Sequence, residues 1–142
     1  MSDLITLTEG EFAGWQTWPG DNFEDMTGPF YLRHEEDGSR VCAFRVEAKH
    51  LNGSEAVHGG CMMTFADSAA FYIAHDALNG DRFVTMTMNS EFVGPAFLGE
   101  LMECRGEVIR AGGRVIFVKG LISSDGRPCL NWSATLARVK RK

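Results

Sequence analysis

The chain has 142 residues, 44% hydrophobic and 23% charged, enough apolar material for one domain with its own core and too much for disorder. Its formal net charge of −5 argues against a nucleic-acid partner held by bulk electrostatics. No apolar run reaches the roughly 18 residues that span a bilayer, so no membrane partner is expected.

The N-terminus, "MSDLITLTEGEF", has neither the basic nor the apolar region of a signal peptide. Residues 1–29 read as an irregular segment of Gly, Pro and Asp turns, with room for a short helix and with Trp15 and Trp18 inside it. Residues 30–142 read as the domain proper. "FYLRHEED" and "SRVCAFRVEAK" flank "DGS", a hairpin pattern. "HLNGSEAV" is a loop, and "HGGCMMTFADSAAFYIAHDAL" is a long helix over 59–78, stopped by "NGD" with Gly80 as its cap residue. The period then changes to 2: Val84, Met86, Met88, Ser90 and Phe92 share one parity, and Thr85, Thr87, Asn89 and Glu91 the other. Three further strands follow, joined by "AGG" and "DGR". Cys42, Cys61, Cys104 and Cys129 form no CxxC pair, so neither a metal nor another cofactor is expected. They read as reduced, buried thiols of a cytoplasmic protein. Two strands, one helix and four strands predict an α+β fold, a helix wrapped by a curved six-stranded antiparallel sheet.

The 59–78 helix is apolar nearly all round, which predicts burial on most sides. Asp67 in its middle has two readings. It caps a second helical segment, or its apolar surroundings tune it for work as base or nucleophile. Gly59 and Gly60 are either loop residues with φ above zero, or they leave backbone N–H groups bare for an oxyanion at a helix N-terminus. His58 is either a turn histidine or a catalytic one. Gly59 and Asp67 lie about 12 Å apart along a helix and about 80° apart around it. One substrate carbonyl cannot meet both, so joint action requires two copies of the chain.

"HLNGSEAVHGGCMMTFADSAA" followed by "VTMTMNSEFVGPA" resembles the hotdog-fold acyl-CoA thioesterases of the PaaI-like, 4-hydroxybenzoyl-CoA thioesterase superfamily. The matching pattern is Asn52, His58-Gly59-Gly60, Asp67, Thr85, and Phe92 with Pro95, over about residues 40–138. The resemblance implies a thioester hydrolase. In it, Asp67 acts as base or nucleophile, the Gly59 N–H polarises the carbonyl, Asn52 and His58 line the facing wall, and Thr85 holds the water. It also implies a homodimer or dimer of dimers with sites shared between subunits. Coenzyme A phosphates would be held by basic side chains such as Arg110 and Arg114 beside the "AGG" turn, or Arg138, Lys140, Arg141 and Lys142 of the tail; solvated turn charges and a ragged tail are the plain reading of each. Two alternatives stand beside this: a non-catalytic acyl-CoA binding module, and a hotdog enoyl-CoA hydratase, a branch that resembles an Asp and a His five residues apart, whereas His58 and Asp67 are nine apart and His75-Asp76 at the helix end reads as a C-terminal cap region. Met62, Met63, Phe65, Phe71, Tyr72, Met86, Met88 and Phe92 offer no cation. A neutral acyl group, aromatic or medium-chain, is therefore expected.

Overall fold

The computed structural model describes residues 3–140; Arg141 and Lys142 of the basic tail lie outside them. The N-terminal segment carries β1 (Ile5–Thr6), β2 (Gln16–Thr17) and a six-residue helix, α1 (Asn22–Thr27). Asp21 starts α1 because its Oδ1 accepts the Phe23 and Glu24 N–H groups at 3.1 and 3.0 Å. The predicted hairpin is β3 (Tyr31–His34) and β4 (Arg40–Arg45). Its turn closes where Asp37 Oδ1 accepts both the Ser39 N–H and the Ser39 hydroxyl.

The long helix is broken. It comprises α2 (Gly59–Ile73) and α3 (His75–Leu78), separated at Ala74. The buried Arg40 sits at the break, donating to the Tyr72 carbonyl at 2.6 Å and to Asp76 at 2.7 Å. One guanidinium thus gives a carbonyl in the last turn of α2 a charged donor. α3 ends on Asn79, not Gly80: Asn79 takes the left-handed conformation at φ 51°.

Four long strands complete the chain: β5 (Phe83–Phe92), β6 (Leu101–Ala111), β7 (Val115–Ser124) and β8 (Arg127–Arg138). Asp125 and Gly126, with φ of 47° and 82°, make the tight β7–β8 turn. All pairings are antiparallel, in the order β1-β2-β3-β4-β6-β7-β8-β5. The sheet therefore has eight strands and not the expected six. The two extra strands are two residues each, too short to show any hydrophobic period.

α2 packs on β4, β5, β6, β7 and β8. Phe65 is fully buried there, with Phe44 and Phe30 rings centred 4.8 and 5.1 Å away. Truncating such a phenylalanine to alanine costs about 3–5 kcal/mol. Cys42 and Cys104 face each other across β4 and β6, both buried and both free; Cys129 is buried and Cys61 half-buried. One helix on the inner face of a curved antiparallel sheet is the hotdog arrangement.

Candidate active site

α2 is not apolar all round. On one side of it Gly60 and Asp67 are exposed and Thr64 and Phe71 half-buried. Asp67 stands on that side and is exposed, so the expectation of a carboxylate sunk in the core is corrected. The core-facing positions are instead Met62, Phe65, Ala66, Ala69, Ala70 and Tyr72. Nor does Asp67 cap a second helical segment, since α2 runs unbroken through it.

A β-bulge delivers the partner of Asp67. The β5–β8 register slips between Thr85 and Thr87, leaving Met86 as the extra residue. Before the bulge Phe83 and Thr85 turn inward, and after it Met88 and Ser90 do, while Val84 and Met86 are exposed. The unbroken alternation expected for this strand is thereby corrected. Thr85 Oγ1 donates to Asp67 Oδ1 at 2.5 Å.

The loop before α2 gathers the remaining residues. Asn52 Oδ1 accepts the Ser54 and Ala56 N–H groups at 2.8 and 3.2 Å, which closes the loop, and Asn52 itself is exposed. His58 is the N-cap of α2: its Nδ1 accepts the Gly60 N–H at 2.8 Å. A neutral His58 therefore carries its proton on Nε2 and offers a donor there. Gly59 is the first helical residue, and no described hydrogen bond uses its N–H. A side chain at Gly59 would stand 3.0 Å from the Phe92 ring. Bare N–H groups at a helix start form a site for developing negative charge. Cys61, half-buried just inside α2, is not an available nucleophile, because burial pushes its thiol up to about 11.

A cavity of about 480 Å³ opens beside Asp67. Its walls include Trp18, Pro19, Phe71 and Phe83, with Glu24 and Ser68 as further polar groups. Asn52, His58 and Gly59 are not among its lining residues. One chain thus brings Asp67 and Thr85 together and Asn52, His58 and Gly59 together, but not the two sets. Trp18 also stacks on Tyr72, ring centres 4.3 Å apart. Trp15 packs elsewhere, with Val41 and Ala43.

Glu24 is the residue that sequence reasoning missed. It lies on a helix outside the recognisable pattern, and its only advance signal was an acid inside an aromatic-flanked turn segment. Burial pushes its carboxyl up, against the pull of the neighbouring Ser68 hydroxyl. Arg110 and Arg114 are exposed beside the β6–β7 turn and form no ion pair with the described residues. Arg138 instead pairs with Asp81. Asp76, half of the His75-Asp76 pair, is engaged by Arg40. Among the described residues no cluster of three or more His, Cys, Asp or Glu is placed to hold a metal ion, and no helix is long and apolar enough to cross a membrane.

Comparison with known proteins points the same way. The family model described as "Thioesterase superfamily" matches residues 54–130. A Pseudomonas aeruginosa protein that carries an esterase name is 31% identical, over 72% of this chain and 78% of its own. Human acyl-coenzyme A thioesterase 13 is 29% identical, over 68% of this chain and 69% of its own. A hypothetical thioesterase from Streptococcus pneumoniae, solved with coenzyme A, superposes with a TM-score of 0.70 at 19% identity, covering 80% of this chain and 88% of that one. The E. coli PaaI protein does so with a TM-score of 0.73 at 20% identity, covering 85% and 86%. The chain belongs to the thioesterase superfamily and is a hotdog-fold thioester hydrolase.

Proposed function

We propose that the chain hydrolyses acyl-CoA thioesters whose acyl group is neutral, aromatic or medium-chain, at a site shared by two copies. The observation that carries this is the carboxylate–hydroxyl pair of Asp67 and Thr85, with Asp67 lining a cavity whose lining residues include no cation. Names of similar proteins supply the coenzyme A: thioesterase 13 by its activity, and the S. pneumoniae structure by its ligand.

In the water-attack form, Asp67 takes a proton from water as the oxygen bonds to the thioester carbon. The carbonyl oxygen becomes an oxyanion, which the Gly59 N–H stabilises. Collapse breaks the carbon–sulfur bond and releases the coenzyme A thiolate, which is then protonated, and the free acid. In the nucleophilic form, Asp67 bonds to the carbonyl carbon and the carbon–sulfur bond breaks to expel the coenzyme A thiolate, which is then protonated; water cleaves the resulting anhydride to the free acid and the Asp67 carboxylate. Thr85 fixes the carboxylate in either case. Asn52 and His58 present N–H donors to the substrate or water from the facing wall. Arg110 and Arg114 are the candidates for the nucleotide phosphates.

The geometry of β5 supports the shared site. β5 is one edge of the sheet, and its start lies by Asp67 through Thr85 while its end lies by Gly59 through Phe92. Two β5 strands paired antiparallel about an axis near Met88 and Asn89 bring the Asp67 of one copy beside the Gly59 of the other.

The experiment is free-thiol release from phenylacetyl-, hexanoyl-, palmitoyl-, malonyl- and succinyl-CoA, with Asp67→Asn beside the wild type. The expected result is turnover of the uncharged substrates and a loss of at least about 100-fold in kcat for the variant, with KM moving far less. Preference for malonyl- or succinyl-CoA, or a variant that keeps most of its turnover, overturns this reading.

A further inference from the structure

The segment between β5 and β6 carries a clasp of side chains that takes no direct part in the hydrolytic steps. Ala96 and Phe97 run antiparallel to Ala56 and Val57, just ahead of His58 and Gly59. The contact uses one peptide group. Its carbonyl, that of Ala96, accepts the Val57 N–H at 2.8 Å. Its N–H, that of Phe97, donates to Glu100 Oε1 at 2.6 Å. The other carboxylate oxygen of Glu100 is held by the Arg127 guanidinium, which also lies over the Phe97 ring, 5.6 Å from its centre. A peptide group is planar and rigid, so a carboxylate that orients its N–H also aims its carbonyl at Val57. A charged acceptor shortens and strengthens the bond it takes, and polarises the group beyond it. Val57 adjoins His58, whose own N–H donates to the His50 carbonyl at 2.8 Å.

We propose that Glu100 is a positioning residue for the reaction: through the Ala96–Phe97 peptide it sets where the loop before α2 presents Asn52, His58 and the Gly59 N–H. The proposal rests on the acyl-CoA hydrolase reading, which puts those three groups at the thioester. Two observations separate this role from a purely structural or a substrate-binding one. The Glu100 and Arg127 side chains are 17% and 46% exposed, and an ion pair open to water adds little to stability. Glu100, Arg127 and Phe97 are not among the residues lining the cavity beside Asp67, so their replacement leaves that pocket in place. Turnover is the sensitive quantity, since a misplacement of about 1 Å caused far from the chemistry can cost about 100-fold.

The test is steady-state kinetics beside thermal unfolding, on whichever of phenylacetyl-, hexanoyl- and palmitoyl-CoA the wild type turns over fastest. Glu100→Leu is expected to lose about 10- to 100-fold in kcat, with KM within about 3-fold and the thermal midpoint within a few degrees of wild type. Glu100→Gln, whose amide oxygen still accepts the Phe97 N–H, is expected to recover most of that loss. Glu100→Leu combined with Asn52→Ala is expected to lose at least about 3-fold less than the product of the two single losses, because the two residues act as one unit. If Glu100→Leu does not fold, Arg127→Leu takes its place. That variant leaves the Phe97 N–H paired but frees the carboxylate, and its kcat is expected to fall about 3- to 10-fold. An unchanged kcat in the variant used, a rise in KM alone, a Gln variant as impaired as the Leu one, or strictly multiplicative losses overturn the proposal. Any of these outcomes with an active wild type sinks this inference alone, whereas a wild type inactive on all three substrates sinks the hydrolase reading and this one with it.

Discussion

At the scale of single residues, the site depends on side chains already committed to a neighbour. Thr85 donates to Asp67, and His58 accepts from the Gly60 N–H. Each contact fixes an orientation before substrate arrives. Thr85→Val keeps the shape of the side chain and removes only the donor. Its half-exposed position makes the stability cost small. The expected outcome in steady-state kinetics is a 10- to 100-fold loss of kcat, about 1.4–2.7 kcal/mol, with a thermal midpoint within a few degrees of wild type. A collapse of the midpoint with normal kcat would make Thr85 a structural residue only.

At the scale of elements, the loop that carries Asn52 and His58 is tied to α1, which carries Glu24. His50 makes one tie. It is buried, its Nδ1 accepts the Glu47 N–H at 2.9 Å, and its Nε2 therefore donates to the Thr27 carbonyl at 2.6 Å. Lys49 makes another, donating to the Gly28 carbonyl. A ring that accepts at one nitrogen must be neutral, and burial accordingly holds the His50 pKa below its ordinary value. The sign follows from linkage: His50 binds its proton more readily unfolded than folded. Its contribution is whole above the unfolded pKa near about 6.5 and is lost as pH falls from there through the folded value. Denaturant unfolding between pH 7.5 and 4.5 should show that loss in the wild type and a smaller one in His50→Gln. Equal slopes in the two proteins would remove His50 from the account.

At the scale of the whole molecule, two surfaces of the chain remain open. One is the outer edge of β5, with Val84, Met86, Phe92 and Val93 exposed on and beyond it. A ten-residue unpaired edge is a ready template for a second strand. The other is the α2 side that bears Asp67. A second copy added at β5 completes the sheet and the site in one step. Mixed assemblies provide the check. Asp67→Asn and Asn52→Ala chains, each weak alone, are refolded together. Random pairing puts about half the molecules in hybrid dimers with one intact site of two, which restores about a quarter of wild-type activity. Activity no higher than the average of the parents refutes the shared site.

The amino-acid sequence by itself determined the strand–strand–helix–four-strand order and the Gly turns between the last strands, because these rest on local period and local backbone freedom. It also marked Asn52, His58, Gly59, Asp67 and Thr85, whose spacing along one loop, helix and strand survives without knowledge of contacts. It did not determine which way Thr85 points. That is set by the bulge at Met86, a register slip against β8 that leaves no trace in β5 alone. The break at Ala74 was hidden likewise, since its Arg40 comes from a strand more than thirty residues earlier. The exposure of Asp67 depends on how α2 packs on the sheet, and the place of Glu24 depends on α1 docking against Ser68 and Trp18. Each is a contact between segments far apart in the chain, and only tertiary structure decides such contacts because they are fixed by packing and not by neighbouring residues.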